Sequence, residues 1–168
     1  MQHSSFVRLP LAIVFLLVLS LDTLLAAPPE NYRFLSLTEA AQLASSENKP
    51  MLLYFGRYGC SICRKMHAEV FNDEALIAKY NNDFVLAYVD IESGNRIKLA
   101  NGERITEMQF ATRSRIIGTP TFIYFSPEQK PLIKKAGFQS VAQMNLYGDY
   151  ILGNHYKSMP LQEFMDNQ

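Results

Sequence analysis

The sequence predicts one α/β domain built on a mixed central sheet with helices on both faces. Three observations carry that expectation. Two short, continuous apolar runs, residues 51–55 and 84–91, have the character of strands buried on both sides. Segments with helical periodicity and N-terminal capping signals alternate with them. A hairpin pattern then follows, residues 121–125 and 132–136, and an alternation that closes on a hairpin favours a mixed sheet covered on both sides. The chain has 168 residues, 48% of them hydrophobic and 12% aromatic, which suits a single buried core and excludes disorder. Acidic and basic residues balance at 16 each. That balance removes the positive field on which nucleic-acid and anionic-membrane binders rely.

The N-terminus reads as a targeting segment. Arg8 precedes an apolar run over residues 9–21, which continues through Leu24 and Leu25 to Ala26-Ala27 and then Pro28-Pro29. Residues 1–27 are therefore expected to be a signal peptide and residues 28–168 the folded domain, exported to a periplasmic location. An uncleaved anchor is the competing reading, because Leu25 stands two before Ala27 and Pro28 would follow the cut. Asp22 and Pro10 trim the run below the roughly 20 apolar residues that a spanning helix needs.

Ser36-Leu37-Thr38-Glu39 fits a capping box, so a helix is expected from there to about Glu47. Pro50 ends it, and the first buried strand follows. From Ser61 to Phe71 the pattern is helical, with Ile62, Met66 and Val70 spaced to share one apolar face. Residues 73–80 give a second helical piece before the strand at 84–91. Residues 96–99 and 103–105 flank Ala100-Asn101-Gly102, and Asn-Gly is a strong hairpin signal because both residues tolerate positive φ. Thr106 to Gln109 form another capping box, for a helix to about Arg113. After the hairpin at 121–136, Ser140 is placed to cap a C-terminal helix.

Cys60 and Cys63 are the chain's only cysteines, and they fall between a buried strand and a helix start. A helix N-terminus presents unpaired N–H groups and about half a positive charge, which favours a thiolate on the first cysteine. Cys60 is thus the candidate nucleophile. Cys63, one turn on, is placed to attack a mixed disulfide and release the reduced substrate. Arg57, Arg64 and Lys65 add positive charge nearby. A purely structural disulfide is weakened by its four-residue loop, which constrains the unfolded chain little. A metal site is a further alternative, since His67 completes Cys-x-x-Cys-x-x-x-His, yet no fourth ligand is evident for zinc. Met66 could interest copper(I), although its spacing beside Ile62 and Val70 is that of a core residue. Attachment of c-type haem would need His directly after the second cysteine, where Arg64 stands. His67 lies four residues beyond Cys63 on the same face. It could exchange a proton, but the plainer reading is a partly exposed helix residue without a chemical role.

With these residues in view, the chain resembles the thioredoxin superfamily, and within it the exported SoxW-type thioredoxin-like proteins. The resemblance is carried by Tyr54-Phe55, Gly59 to His67, Glu69-Val70-Phe71, Tyr88 to Ile91 and Gly118-Thr119-Pro120-Thr121-Phe122. It implies a thioredoxin fold from about Ser36 to the C-terminus. It also implies a cis peptide bond at Pro120 packed against the active disulfide, with the Thr119 backbone pairing an extended substrate. Two departures bear on mechanism. Tyr54 stands where cytoplasmic thioredoxins carry a buried Asp that accepts the proton of the second cysteine, and Gly59 stands where they carry Trp. An unperturbed phenol titrates near pH 10, so Tyr54 reads as a packing residue, and water, Cys60 or His67 remain open as proton acceptors.

The function expected is an extracytoplasmic thiol:disulfide oxidoreductase that exchanges the Cys60–Cys63 dithiol with disulfides of protein substrates, with reductase the preferred direction and a membrane electron donor implied by the resemblance. Donation of a disulfide to folding proteins stays open, because Ser61-Ile62 matches neither the usual reductase nor the usual oxidase dipeptide. No cofactor beyond the redox-active disulfide, no metal and no nucleic acid is expected. The alternative from another class is a carrier or chaperone of the same fold that holds copper or a partner through the two cysteines without turnover.

Overall fold

The apolar run that begins at Met51 becomes the central strand of a computed structural model that describes residues 28–168; the expected signal peptide lies outside the described residues. In chain order the elements are β1 (Phe34–Leu35), α1 (Leu37–Glu47), β2 (Met51–Gly56), α2 (Ser61–Glu69), α3 (Glu74–Asp83), β3 (Val85–Asp90), β4 (Arg96–Lys98), β5 (Arg104–Thr106), α4 (Glu107–Arg113), β6 (Thr121–Phe125), β7 (Pro131–Ala136), α5 (Val141–Leu152) and α6 (Leu161–Asp166), with a 3₁₀ turn at His155–Lys157. Five strands form one sheet in the order β1-β3-β2-β6-β7, and β4 pairs with β5 apart from it. β1, β3 and β2 are parallel, whereas β6 and β7 add antiparallel. A parallel β2–β3 pair needs a crossover, which α2 and α3 supply.

Side chains of β2 alternate between two cores. Leu52 and Tyr54 enter one with Met66, Phe71, Tyr80, Phe122 and Tyr147, under α2, α3 and α5. Met51, Leu53 and Phe55 enter the other with Ala40, Ala44, Ile97, Ile105 and Ala111, under α1, the β4–β5 ribbon and α4. A strand buried on both faces has no polar side to alternate with, which is why its sequence is uniformly apolar.

The expected capping boxes form. Glu39 N–H donates to Ser36 Oγ while Ser36 N–H donates to Glu39 Oε2, and Thr106 with Gln109 and Ser140 with Gln143 repeat the arrangement. Asp73 caps α3 through a 2.8 Å bond from Leu76 N–H. The ribbon closes at Gly102, whose φ of +87° a side-chain-bearing residue rarely adopts. Thr38 fastens that ribbon to α1, donating to the Lys98 carbonyl at 3.0 Å and accepting from its N–H at 3.2 Å.

Three differences from the sequence reading are physical. β1 and α6 belong to the fold but were not anticipated. Ile62 does not share the buried face of Met66 and Val70: it is 43% exposed, because the first turn of α2 projects beyond the end of the sheet and turns Cys63 inward instead. α2 also stops at Glu69, short of Phe71.

Candidate active site

β2 ends at Gly56, where an added Cβ would lie 2.8 Å from the Tyr88 hydroxyl, so the glycine lets that ring close over the strand end. The loop then turns at Gly59, with φ +71°, and delivers Cys60 as the N-cap residue of α2. Its extended backbone (φ −69°, ψ 104°) aims the side chain back over the first turn, where Cys63 N–H donates to Cys60 Sγ at 3.0 Å. Cys60 and Cys63 are joined as a disulfide, their Cα atoms 5.2 Å apart. They are 5% and 3% exposed.

A second segment, leading into the neighbouring strand β6, meets this pair at the same end of the sheet. The Thr119–Pro120 peptide bond is cis, and the Thr119 carbonyl oxygen lies 3.4 Å from Cys60 Sγ. A disulfide sulfur carries no proton, so this is a sulfur–oxygen contact; in the dithiol the same geometry lets the Cys60 thiol donate. The segment is held on both flanks. Thr121 Oγ1 donates to the Gly118 carbonyl at 2.7 Å, and Gly137 N–H donates to the Pro120 carbonyl at 2.8 Å. The structure thus brings together all four expected residues, Cys60, Cys63, Thr119 and Pro120.

The rim is apolar and open. Tyr58 is 56% exposed and Ile117 is 99% exposed, and Ile62 joins them. These exposed apolar side chains stand beside the cysteines or Pro120 in sequence, on both of the segments that meet there. The positive charge expected around the pair is partly compensated, since Arg57 lies 3.4 Å from Glu92 and Lys65 lies 3.9 Å from Glu69.

Between β2 and α2, the helix that carries the pair, sits an aromatic cluster. Tyr54, fully buried, stacks on Phe122 at 5.1 Å and packs edge-on against Tyr88 at 5.3 Å. Its hydroxyl lies 3.4 Å from His67 Nε2. Burial pushes the Tyr54 phenol well above its ordinary range and, by the same desolvation, holds the His67 imidazole below 6.5. His67 is half-buried against Tyr54 and Phe71 rather than standing free on the helix. Met66 is a core residue, wholly buried, with its sulfur accepting from Gln139 N–H at 3.3 Å. Among the described residues no group of three His, Cys, Asp or Glu side chains is placed to hold a metal ion, and no helix is long and apolar enough to cross a membrane.

The rim and the Tyr54–His67 pair are what the sequence reading missed. The rim had a signal: Tyr58, Ile62 and Ile117 all lie within three residues of Cys60, Cys63 or Pro120. The pair had none, since it depends on which turn of α2 overlies β2.

A mixed sheet that sets a disulfide at a helix start, against a proline-bearing loop, defines the class of thiol:disulfide oxidoreductases. Residues 37–152 match the family of thioredoxin-like domains, and the chain belongs to that family. Solved structures agree on the fold. A thioredoxin-fold protein from Helicobacter pylori superposes with a TM-score of 0.62 at 20% identity, covering 72% of this chain and 84% of that one. A thioredoxin from Thermus thermophilus gives 0.60 at 22%, covering 73% and 88%. The oxidoreductase DsbH gives 0.56 at 18%, covering 76% and 88%. No curated protein matches the chain.

Proposed function

We propose that this oxidoreductase works outside the cytoplasm as a reductase of protein disulfides, with Cys60 as the attacking and Cys63 as the resolving thiol. One observation carries the assignment of roles: Cys60 alone occupies the N-cap of α2, with the Cys63 N–H pointing at its sulfur. Charge on a thiolate is favoured there by the helix N-terminus. Cys63 follows three residues on, inside the helix and bonded to Cys60, placed to attack a mixed disulfide at Cys60.

Protein substrates are supported by the rim. An extended segment laid beside Thr119 and Pro120 would bring its sulfur to Cys60 while its apolar side chains cover Tyr58, Ile62 and Ile117. Export is supported by Arg8, the apolar run and Ala26-Ala27. A reductase outside the cytosolic thiol pool needs its electrons returned, which is the reason for a membrane electron donor as partner.

The test is trapping in the native host. Cys63→Ala should accumulate mixed disulfides through Cys60, on proteins of the exported fraction, while Cys60→Ala should accumulate none. The wild-type chain should be found mainly as dithiol, with a mature N-terminus near Pro28, and should accelerate insulin reduction by dithiothreitol. No rate above background and no trapped protein would overturn the reading in favour of a carrier; a chain found mainly oxidised would reverse the direction.

A further inference from the structure

Resolution of a mixed disulfide requires Cys63 to lose a proton, because the thiolate is the nucleophile. Burial works against that loss, since a desolvated thiol resists ionisation. Cys63 is 3% exposed, and the helix N-terminal field that assists Cys60 has weakened one turn further on. A nearby base would remove the difficulty. We infer that His67, with its ring fixed by the Tyr54 hydroxyl, takes up the proton that Cys63 gives up, and that Tyr54 is the positioning residue for this step. The inference rests on the roles assigned above to the two cysteines.

The geometry carries it in three parts. Residues four apart on a helix are neighbours on one face, with Cβ atoms about 5–6 Å apart, and helical side chains lean toward the N-terminus, so the His67 ring leans toward Cys63. Its Nε2 is 3.4 Å from the Tyr54 hydroxyl, and the ring packs edge-on to Tyr54 and tilted against Phe71. In the tautomer in which Nε2–H donates to the Tyr54 oxygen, Nδ1 carries the free lone pair and is the proton acceptor. Burial also holds the imidazole in its neutral form at pH 7, the form that can act as a base.

The step balances. The S–H bond of Cys63 breaks and its proton goes to the lone pair of the imidazole. The thiolate pair forms the Cys63–Cys60 bond, the Cys60–substrate sulfur bond breaks, and its electron pair leaves on the substrate thiolate. The dithiol has then given two electrons to the substrate. Imidazolium subsequently returns the proton to solvent through the half-exposed edge of the ring.

Other ionisable groups around the ring do not mimic this behaviour. Tyr54 on β2, Tyr88 on β3 behind it and Tyr32 across Phe71 are phenols raised by burial, which stay neutral from pH 5 to 9. On α2 itself Lys65 is drawn to Glu69, and Arg64 is exposed.

The experiment is stopped-flow reaction of the reduced full-length chain, in detergent, with 5,5′-dithiobis(2-nitrobenzoate). Cys60 attack releases a first thionitrobenzoate and Cys63 attack a second, so the two steps are read separately. In wild type the second release should rise with pH through an inflection below 6.5 and then level. His67→Gln should slow it tenfold or more at pH 7 and abolish the inflection, leaving a rate that climbs steadily with pH. Tyr54→Phe, which keeps the ring packing, should slow it severalfold. The first release should be unchanged in both. A second release that is unaltered in both variants, or slowed with the inflection retained in His67→Gln, would overturn the inference. Failure of the first release in the wild type would instead overturn the roles of the cysteines.

Discussion

Cys60 and Cys63 differ by three positions in sequence and by their entire chemical setting. Cys60, at the N-cap, receives a backbone N–H and touches the Thr119 carbonyl, whereas Cys63 lies buried within the first turn of α2. In the reduced chain, iodoacetamide at pH 7 should therefore label Cys60 rapidly and Cys63 at least tenfold more slowly, the difference vanishing in denaturant; mass spectrometry of the labelled peptide reads the sites, and equal labelling of the folded protein would refute the asymmetry. Cys60 and Cys63 were legible in the sequence because their types, their spacing and their position between strand and helix all point to one chemistry, whereas Thr119 and Pro120 entered only through the resemblance to thioredoxins. Tyr54 and His67 were legible only as individuals. Their contact joins positions thirteen apart across two elements, and neither residue type announces it.

At the scale of elements, legibility followed the local signals. Helices α1, α4 and α5 were announced by Ser36, Thr106 and Ser140, whose side chains satisfy N–H groups left open at each start. β1 had no such announcement: two residues are too short to show a period, and only pairing with β3 makes them a strand. α6 begins at Pro160 with no side-chain cap, and it is held from outside, by Phe164 in the core and Tyr150 against it. The caps can be tested singly. Asp73→Ala should lower stability by about 1 kcal/mol, within the 0.5–2 range of cap losses, while Asp73→Asn should lose only a fraction of that. Urea midpoints of the three proteins decide it, and equal stability of the Ala variant would mean that the 2.8 Å bond to Leu76 contributes nothing.

For the molecule as a whole, His67 also couples folding to pH. Its imidazole is held below the ordinary 6.5 in the folded chain by burial. As pH falls through 6.5 the unfolded chain takes up a proton there that the folded chain refuses, so stability present above 6.5 is lost downward until the folded imidazole also titrates. The midpoint of thermal unfolding of the oxidised chain should accordingly fall between pH 6.5 and the lower folded value, and His67→Gln should flatten that part of the curve. An unchanged slope in the variant would show that the ring is not desolvated. The sheet's polarity has a separate consequence. Phe34 and Leu52 are both level with Leu86, so β1 and β2 start at the same end of the sheet, and Gly56 lies four residues further on, about 13 Å of strand at roughly 3.3 Å per residue. Asn31 and Arg33 are fastened to Asn81 at that starting end. The described chain therefore enters the sheet, at β1, from the end opposite the disulfide. Cys60 thus sits at the far end of β2 from the point where the described chain joins the sheet, so a disulfide-bearing partner can approach it end-on, clear of the first described residues.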